Sequence, residues 1–278
     1  MTDVADPFAL RILYRLAGAA AWVAFRLFRL RLGVVRGNLA RSFPGESPEH
    51  LQAIEHEFVR RQGEALAELL YTPRLGEAEL RTRVVLANPE TLASPAPRRP
   101  LILVGAHHCN AEWVLQRVAL EFGDRFVGLY KPIRNPRVDA WFRRVRGRFG
   151  ARLWPAKSVL RELARSRDVA AIGLIADQAP TTSPEKHWTD FLGQETAFYM
   201  GPELLGRALR APVLMGRMRR LARGRYELKF EPLNVPGERL PTGAITDRYA
   251  RALEAWIRDD PAGWWWSHKR WKLRREPG

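Results

Sequence analysis

The sequence predicts an α/β fold: a central, mostly parallel sheet flanked by helices, with an N-terminal amphipathic, membrane-associated helix. Two observations carry this reading. From residue 101 onward, short apolar runs alternate with stretches of helical periodicity, as in a sheet whose strands are joined by crossover helices. The first third of the chain is helical in pattern and opens on an apolar stretch punctuated by arginines. With 278 residues and 46% hydrophobic content the chain can bury a sizeable core, and α/β architectures of this length are often single domains. The expected organisation is an interfacial helix over residues 1–35 and one domain over residues 36–278.

The elements follow in order. In "FALRILYRLAGAAAWVAFRLFRLRLG" the longest uncharged run, Leu16 to Phe25, is ten residues, too short to cross a bilayer as it stands. At ~100° per residue, Arg11, Arg15, Arg26 and Arg29 fall within about 60° of one another. A narrow cationic strip on a wide apolar surface suits the bilayer interface, with arginines reaching for phosphates. A core helix docked on the rest of the domain would share the pattern. Next, "SPEHLQAIEHEFVRRQGEALAELLY" has Ser47 as N-cap, Pro48 at the first helical position, and a stripe of Leu51, Ile54, Phe58 and Leu66. The proline-rich segment 93–100 is a connection. Strand-like runs are "LILVGA", "RFVGLYK", "VAAIGLIAD", "APVLMGRM" and "YELKFEPL". Helical patterns occupy 110–122, 136–149, 156–166, 201–209 and 244–258, with another in the tail "WWWSHKRWKLRR".

Forty-six Lys and Arg against thirty acidic residues give a net charge of +16. Such an excess predicts attraction to polyanions such as anionic lipid, nucleic acid or an acidic protein. A general arginine bias would give the same number. One cysteine, Cys109, excludes an internal disulfide and any multi-cysteine zinc site. No metal or other cofactor is expected, and no nucleotide-binding loop is present.

Chemistry concentrates in "PLILVGAHHCNAEWVLQRVALEFG", residues 100–123. His107 leaves the end of a continuous apolar strand, where α/β folds gather their reacting groups. Asn110 is an N-cap for the following helix, whose buried face is Val114, Leu115, Val118, Ala119 and Phe122 and whose stop is Gly123. Five residues turn about 140° on a helix. His107 and Glu112 therefore pair only if the histidine lies in the loop and the carboxylate in the first helical turn. A neutral imidazole takes a proton from a hydroxyl, and a carboxylate on its other nitrogen sets the tautomer and stabilises the imidazolium. The loop holds no serine, so the substrate's own alcohol would attack, which fits direct acyl transfer. A thiol nucleophile at Cys109 is the alternative chemistry, and polar residues merely capping a helix are the bland one. His108 is expected to orient the loop.

Other polar positions cluster at strand ends. "IRNPRVDAWFRRVRGRFGAR" contains seven arginines, Arg134 to Arg152, a solvated face or a dock for an acidic carrier protein or lipid phosphates. Lys131, Arg134 and Asn135 should approach His107 if their strands are neighbours, with Lys131 receiving an oxyanion or a substrate phosphate. Asp177 and Gln178 end another strand at the same edge, where Asp177 would order Lys131 or Arg134, or simply start a turn. Trp188, Phe191, Phe198 and Tyr199 are candidates for an acyl channel, or ordinary core. Trp264, Trp265, Trp266 and Trp271 among basic residues suit an interfacial anchor. The same tail would suit stacking on single-stranded nucleic acid. A basic nucleic-acid-binding module is thus the competing class, although none of its usual motifs is present and no nucleic acid is expected.

"GAHHCNAEW" resembles the His-x4-Glu/Asp block of the lipid A late acyltransferases, the lauroyl/myristoyl transferases of the lysophospholipid acyltransferase superfamily. "RLRLGVVRGNLARSFPGESPEHL", "YKPIRNPRVDAWFRRVRGRFGARLWP", "IADQAPTTSPEKHWTDFLGQETAFYMGPELLGRAL" and "WWWSHKRWK" resemble its other blocks, in the family's order. The resemblance implies a bacterial enzyme on the cytoplasmic face of the inner membrane, peripheral or monotopic, in lipopolysaccharide biosynthesis. Such an enzyme moves a fatty acyl chain from acyl carrier protein, or from CoA, to a hydroxyl of a lipid acceptor. It also implies His107 as general base with Glu112 as its partner, and anionic membrane lipids as its surroundings. Two positions depart from the pattern. Lys131 stands where arginine is common, so a bidentate contact becomes a point charge. Phe198 stands where threonine is frequent. The chain looks like a divergent branch, which leaves the acceptor open between a lipid A precursor and a lysophospholipid or a pigment or polyene lipid.

Overall fold

The computed structural model describes residues 6–93, 99–166, 168–180, 185–235 and 237–275. The centre of the proline-rich connection (94–98) and part of the segment after Asp177 (181–184) lie outside the described residues. The helical N-terminal third comprises α1 (Phe8–Trp22), α2 (Leu32–Ser42), α3 (Pro48–Tyr71) and α4 (Glu77–Arg83). Ser47 caps α3 as expected, its hydroxyl accepting from the His50 amide, with Pro48 at the first helical position.

α1 runs on through a π-helical turn, Val23–Leu27, and lies along α3. Leu10, Tyr14, Ala17 and Ala21 are its buried face. The approach is close: a Cβ on Gly63 of α3 would lie 2.9 Å from the Gly18 Cα. Only glycine allows that distance. The opposite side exposes Phe8, Leu16, Trp22, Leu27, Phe28 and Leu30. The expected cationic strip is divided, because Arg11, Arg15 and Arg29 face outward while Arg26 donates to the buried Glu55 of α3.

The sheet is built from β1 (Val84–Leu86), β2 (Leu101–Gly105), β3 (Phe126–Tyr130), β4 (Arg152–Pro155) and β5 (Ala171–Ile175) with β8 (Val213–Ala222) and β9 (Arg225–Pro232). Its order is β1-β9-β8-β2-β5-β3-β4, and every neighbouring pair is parallel except the β8–β9 hairpin. The parallel connections run through α5 (Ala111–Phe122), α6 (Pro136–Arg146), α7 (Val159–Arg165) and, before β8, α8 (Gly201–Leu209). A separate antiparallel hairpin, β6 (Lys186–Phe191) and β7 (Gln194–Tyr199), packs against α9 (Ala244–Asp259). Its tight turn holds Leu192 and Gly193 at φ 52 and 71, the positive values a two-residue hairpin loop requires.

The central strand β2 is buried at four of its five positions, which explains its uninterrupted apolar run. The five strand-like runs all form strands. The sequence reading omits β1 and β4, both short edge strands, and the separate β6–β7 hairpin. The tail is where it needs correction. No helix forms there; after a short turn at Pro261–Gly263 the chain runs irregularly across the sheet's carboxyl edge. Trp264 and Trp266 are buried in an aromatic cluster, so neither serves as an interfacial anchor or a stacking platform for bases.

Candidate active site

The position of His107 follows from strand register. β2 and β5 pair in parallel with Gly105 opposite Ile175. Continuing both strands by two residues brings His107 level with Asp177. The contact is made twice: His107 Nδ1 lies 2.7 Å from Asp177 Oδ1, and the His107 amide donates to Oδ2 at 2.9 Å. The Trp264 indole N–H also donates to Oδ2, at 2.9 Å. Asp177 is buried. Burial alone would raise its pKa, but the His107 charge and these hydrogen bonds outweigh it and hold the carboxyl below its ordinary value. A carboxylate at Nδ1 requires the proton there, leaving the lone pair on Nε2. The imidazole is 26% exposed, tilts against the Trp265 ring at 4.7 Å, and has the Gln178 side-chain amide 3.4 Å from Nε2.

The expected His107–Glu112 pair is therefore replaced. Glu112 sits in the first turn of α5, as expected, but its carboxylate is held by Arg146 of α6, with Arg146 Nε donating at 2.9 Å and Nη2 closing a bidentate pair. It ties α6 to α5, and a register contact across β2 and β5 supplies the carboxylate for histidine. Asp177 does not order Lys131 or Arg134, as the sequence suggested. The condition attached to Lys131, Arg134 and Asn135 also fails, because β5 stands between β2 and β3. Lys131 and Arg134 are exposed, and Asn135 caps α6 by accepting from Arg137 and Val138.

Asn110 performs its expected cap, accepting from the Trp113 amide at 3.0 Å. Its amide group also donates to the fully buried Glu68 of α3 at 2.6 Å. Tyr14 of α1 and Tyr226 of β9 donate to the same carboxylate. Burial lifts Glu68 to about 7, against these hydrogen bonds, which favour the charged form. The network links α1, α3 and β9 to the loop carrying His107.

His108 and Cys109 are structural. His108 Nε2 donates to the Asp260 carbonyl at 2.9 Å, and burial pushes the ring down to about 4, so it stays neutral. Cys109, at φ 56, donates its amide to Gly263. Burial raises its thiol well above the ordinary value, which disfavours the thiolate a nucleophile needs. His108, Cys109 and Asp260 offer ligand atoms within 4.8 Å of one another. Arg61 already occupies the Asp260 carboxylate through both oxygens. The acyl-channel candidates divide. Phe191 and Phe198 are fully buried edge-to-face at 5.1 Å beneath Trp264, whereas Trp188 and Tyr199 are half-buried on the hairpin.

A family model describing the bacterial lipid A biosynthesis acyltransferases matches residues 7–273. The chain belongs to that family. Its members transfer an acyl group to a lipid acceptor in lipid A biosynthesis, and the family is associated with membranes. The chain is also similar to the crystal structure of the 1-acyl-sn-glycerophosphate (LPA) acyltransferase PlsC from Thermotoga maritima. The identity is 16% and the TM-score 0.40, over 88% of this chain and 95% of that one. No curated protein sequence matches the chain.

In this lipid A biosynthesis acyltransferase the first and last sequence blocks meet at the site. Asn38 of α2 is buried and donates to the carbonyls of Trp266 and His268 at 2.8 and 2.9 Å, and Arg31 donates to Ser267. The tail so held pairs with the histidine loop: His108 and Trp264 form an antiparallel bridge, and the Trp265 amide donates to the His107 carbonyl. Gly263 allows the approach, since a Cβ there would lie 2.3 Å from the His108 ring. The His268 ring accepts from the Ala179 amide, steadying the Asp177 turn, and burial keeps it neutral with a pKa of about 4. Trp264, Trp265, His268 and Arg270 are site residues that the sequence reading missed. Their signal in the sequence was the block "WWWSHKRWK", which resembles one of the family's ordered blocks.

Proposed function

We propose that this enzyme transfers a fatty acyl chain from an acyl thioester, carried by acyl carrier protein, to a hydroxyl of a lipid A precursor, with His107 as general base and Asp177 as its orienting carboxylate. One observation carries the reading: a partly exposed imidazole whose Nδ1 is fixed on a buried carboxylate while Nε2 meets a long contact, 3.4 Å, from the Gln178 amide that a substrate hydroxyl could displace. His107 Nε2 takes the acceptor's hydroxyl proton as the oxygen attacks the acyl carbonyl. When the tetrahedral intermediate collapses, the carbon–sulfur bond breaks and the imidazolium returns the proton to the departing thiolate. Glu112 acts indirectly by holding α6 through Arg146.

The exposed face beside the site suits an acidic donor. Arg134, Arg137, Arg143 and Arg144 on and before α6, with Lys131, present a cationic surface at the ends of β3 and α5, which would attract an acidic carrier protein or lipid phosphates. The outer side of α1, apolar and flanked by Arg11, Arg15 and Arg29, suits the cytoplasmic interface of the inner membrane.

The test is mass spectrometry of lipids from cells expressing the native enzyme or His107→Ala. A mass gain of one acyl group seen only with the native protein establishes the transfer, and the shifted species names the acceptor. Matching lipidomes at equal expression, followed by no turnover of a purified lipid A precursor with acyl carrier protein, would refute it. A shifted lysophospholipid would instead reassign the acceptor.

A further inference from the structure

Acyl transfer builds negative charge on the carbonyl oxygen, and that oxygen needs a hydrogen-bond donor. Strand order removes the donor expected from the sequence. Lys131 and Arg134 follow β3, which β5 separates from β2, and both are exposed. Arg146 is taken by Glu112, and the Trp264 indole N–H by Asp177. Five backbone amides around the histidine are committed as well. His107 donates to Asp177, Cys109 to Gly263, Asn110 to the Met218 sulfur, Trp265 to His107 and Ala179 to His268.

Gln178 remains. Its side-chain amide nitrogen lies 3.4 Å from His107 Nε2. With the ring proton on Nδ1, against Asp177, Nε2 is an acceptor, and the amide N–H is the group that suits it. A hydrogen bond of this length is weak and is exchanged at little cost. The half-buried side chain makes no other hydrogen bond among the described residues. Its backbone, by contrast, is fixed from both sides. Asp177 before it is held by His107 and Trp264, and the Ala179 amide after it donates to the His268 ring at 3.2 Å. The tail thus sets where the amide stands. A hydroxyl seated on Nε2 attacks a carbonyl whose oxygen becomes its neighbour on one carbon, so a donor beside Nε2 is within reach of that oxygen.

We propose that Gln178 is a catalytic residue, the oxyanion donor: its amide N–H rests on His107 Nε2 and turns to the acyl carbonyl oxygen when the acceptor hydroxyl takes its place. The inference rests on His107 as the general base. As the hydroxyl oxygen bonds to the acyl carbon, its proton passes to Nε2 and the carbonyl electron pair moves onto oxygen. There the Gln178 N–H donates. When the carbonyl re-forms, the carbon–sulfur bond breaks, the thiolate takes the proton from the imidazolium, and the amide returns to Nε2.

The experiment is steady-state acyl transfer in detergent micelles by the native enzyme, Q178M, Q178E, Q178N and H107A, using the acceptor that lipid mass spectrometry names, with thermal melts alongside. Q178M keeps the length of the side chain and loses its N–H. Its kcat should fall by about a hundredfold or more, with KM for both substrates within a few-fold of native, the mark of a contact made only in the transition state. Q178E should fall at least as far, and Q178N, with the amide on a shorter stem, should lie between. A phosphonate analogue of the tetrahedral centre should bind Q178M about a hundredfold more weakly than the native enzyme. A Q178M kcat within a few-fold of native would overturn the proposal, as would a loss confined to KM or an unchanged phosphonate affinity. Equal losses and lowered melts in all three variants, Q178N included, would make Gln178 a packing residue and overturn it too. Full activity in H107A would refute the general-base reading, whereas an inactive H107A beside a native-like Q178M overturns the present inference alone.

Discussion

Asp177 receives three donors, and the donor from His107 Nδ1 is the one on which the proposed general-base role depends. Replacing it with asparagine preserves size but leaves an amide that can present its own N–H to Nδ1, favouring the wrong tautomer. D177N should lower kcat by about a thousandfold or more, with little change in the thermal melt. E112Q should act differently, because it loosens the bond between α5 and α6 and leaves His107 in place. Its expected signature is a several-fold rise in KM for the acyl donor with a smaller fall in kcat. Steady-state kinetics of the two variants separate the roles, and equal losses in kcat would put Glu112 back beside the histidine. C109S tests the remaining alternative: the thiol is buried and held protonated, so acyl transfer should persist within a few-fold. Abolished turnover in a folded C109S enzyme would revive a thiol nucleophile.

At the scale of elements, the junction of α1, α3, β9 and the histidine loop is a single buried carboxylate. Glu68 is raised from 4.5 to about 7 by burial, so the folded enzyme holds its proton where the unfolded chain has released it. The stabilisation linked to that proton is complete below about pH 4.5 and is lost as pH rises through 7. A rise of this size is worth about 3 kcal/mol. Urea denaturation of native and E68Q enzyme in micelles at pH 5 and pH 8 measures it. The native protein should weaken over this range by more than E68Q does, and identical dependences would mean that Glu68 stays charged throughout. The same junction connects the N-terminal helix to the loop that carries His107. Tyr14 donates to Glu68, and Asn110, three residues from His107, donates to it from the other side.

At the scale of the whole molecule, exposed apolar and cationic side chains gather on the outer side of α1. The chain carries +16, and exposed Phe8, Leu16, Trp22, Leu27 and Phe28 share one flank with Arg11, Arg15 and Arg29. Residues Phe8–Leu27 form a helix long and apolar enough to cross a membrane, with 28% of it buried within the protein. Flotation with vesicles containing anionic lipid should recover the native protein in the lipid fraction. The double variant L16E/W22E should float several-fold less, and high salt should weaken binding of both. Flotation unaffected by the two glutamates would move the membrane contact to another surface.

The sequence by itself determined the α/β class, the strand that delivers His107, the Asn110 cap and the Ser47 start of α3. These are local matters: an uninterrupted apolar run, a capping residue and a helical stripe mean the same thing wherever the chain goes. Recognition of the family was equally legible, because ordered blocks survive in one dimension. Tertiary structure alone decided which carboxylate meets the histidine. The spacing of five residues pointed to Glu112, but β5 enters the sheet beside β2 and puts Asp177 level with His107, seventy positions away. That adjacency is a property of strand order, on which local pattern is silent, and it also moved Lys131 one strand out. The tail was misread for a related reason. A tryptophan- and lysine-rich segment looks the same whether it meets lipid or protein, and only the contacts of Asn38 and the histidine loop turn it inward, burying Trp264, Trp266 and Arg270 against the site.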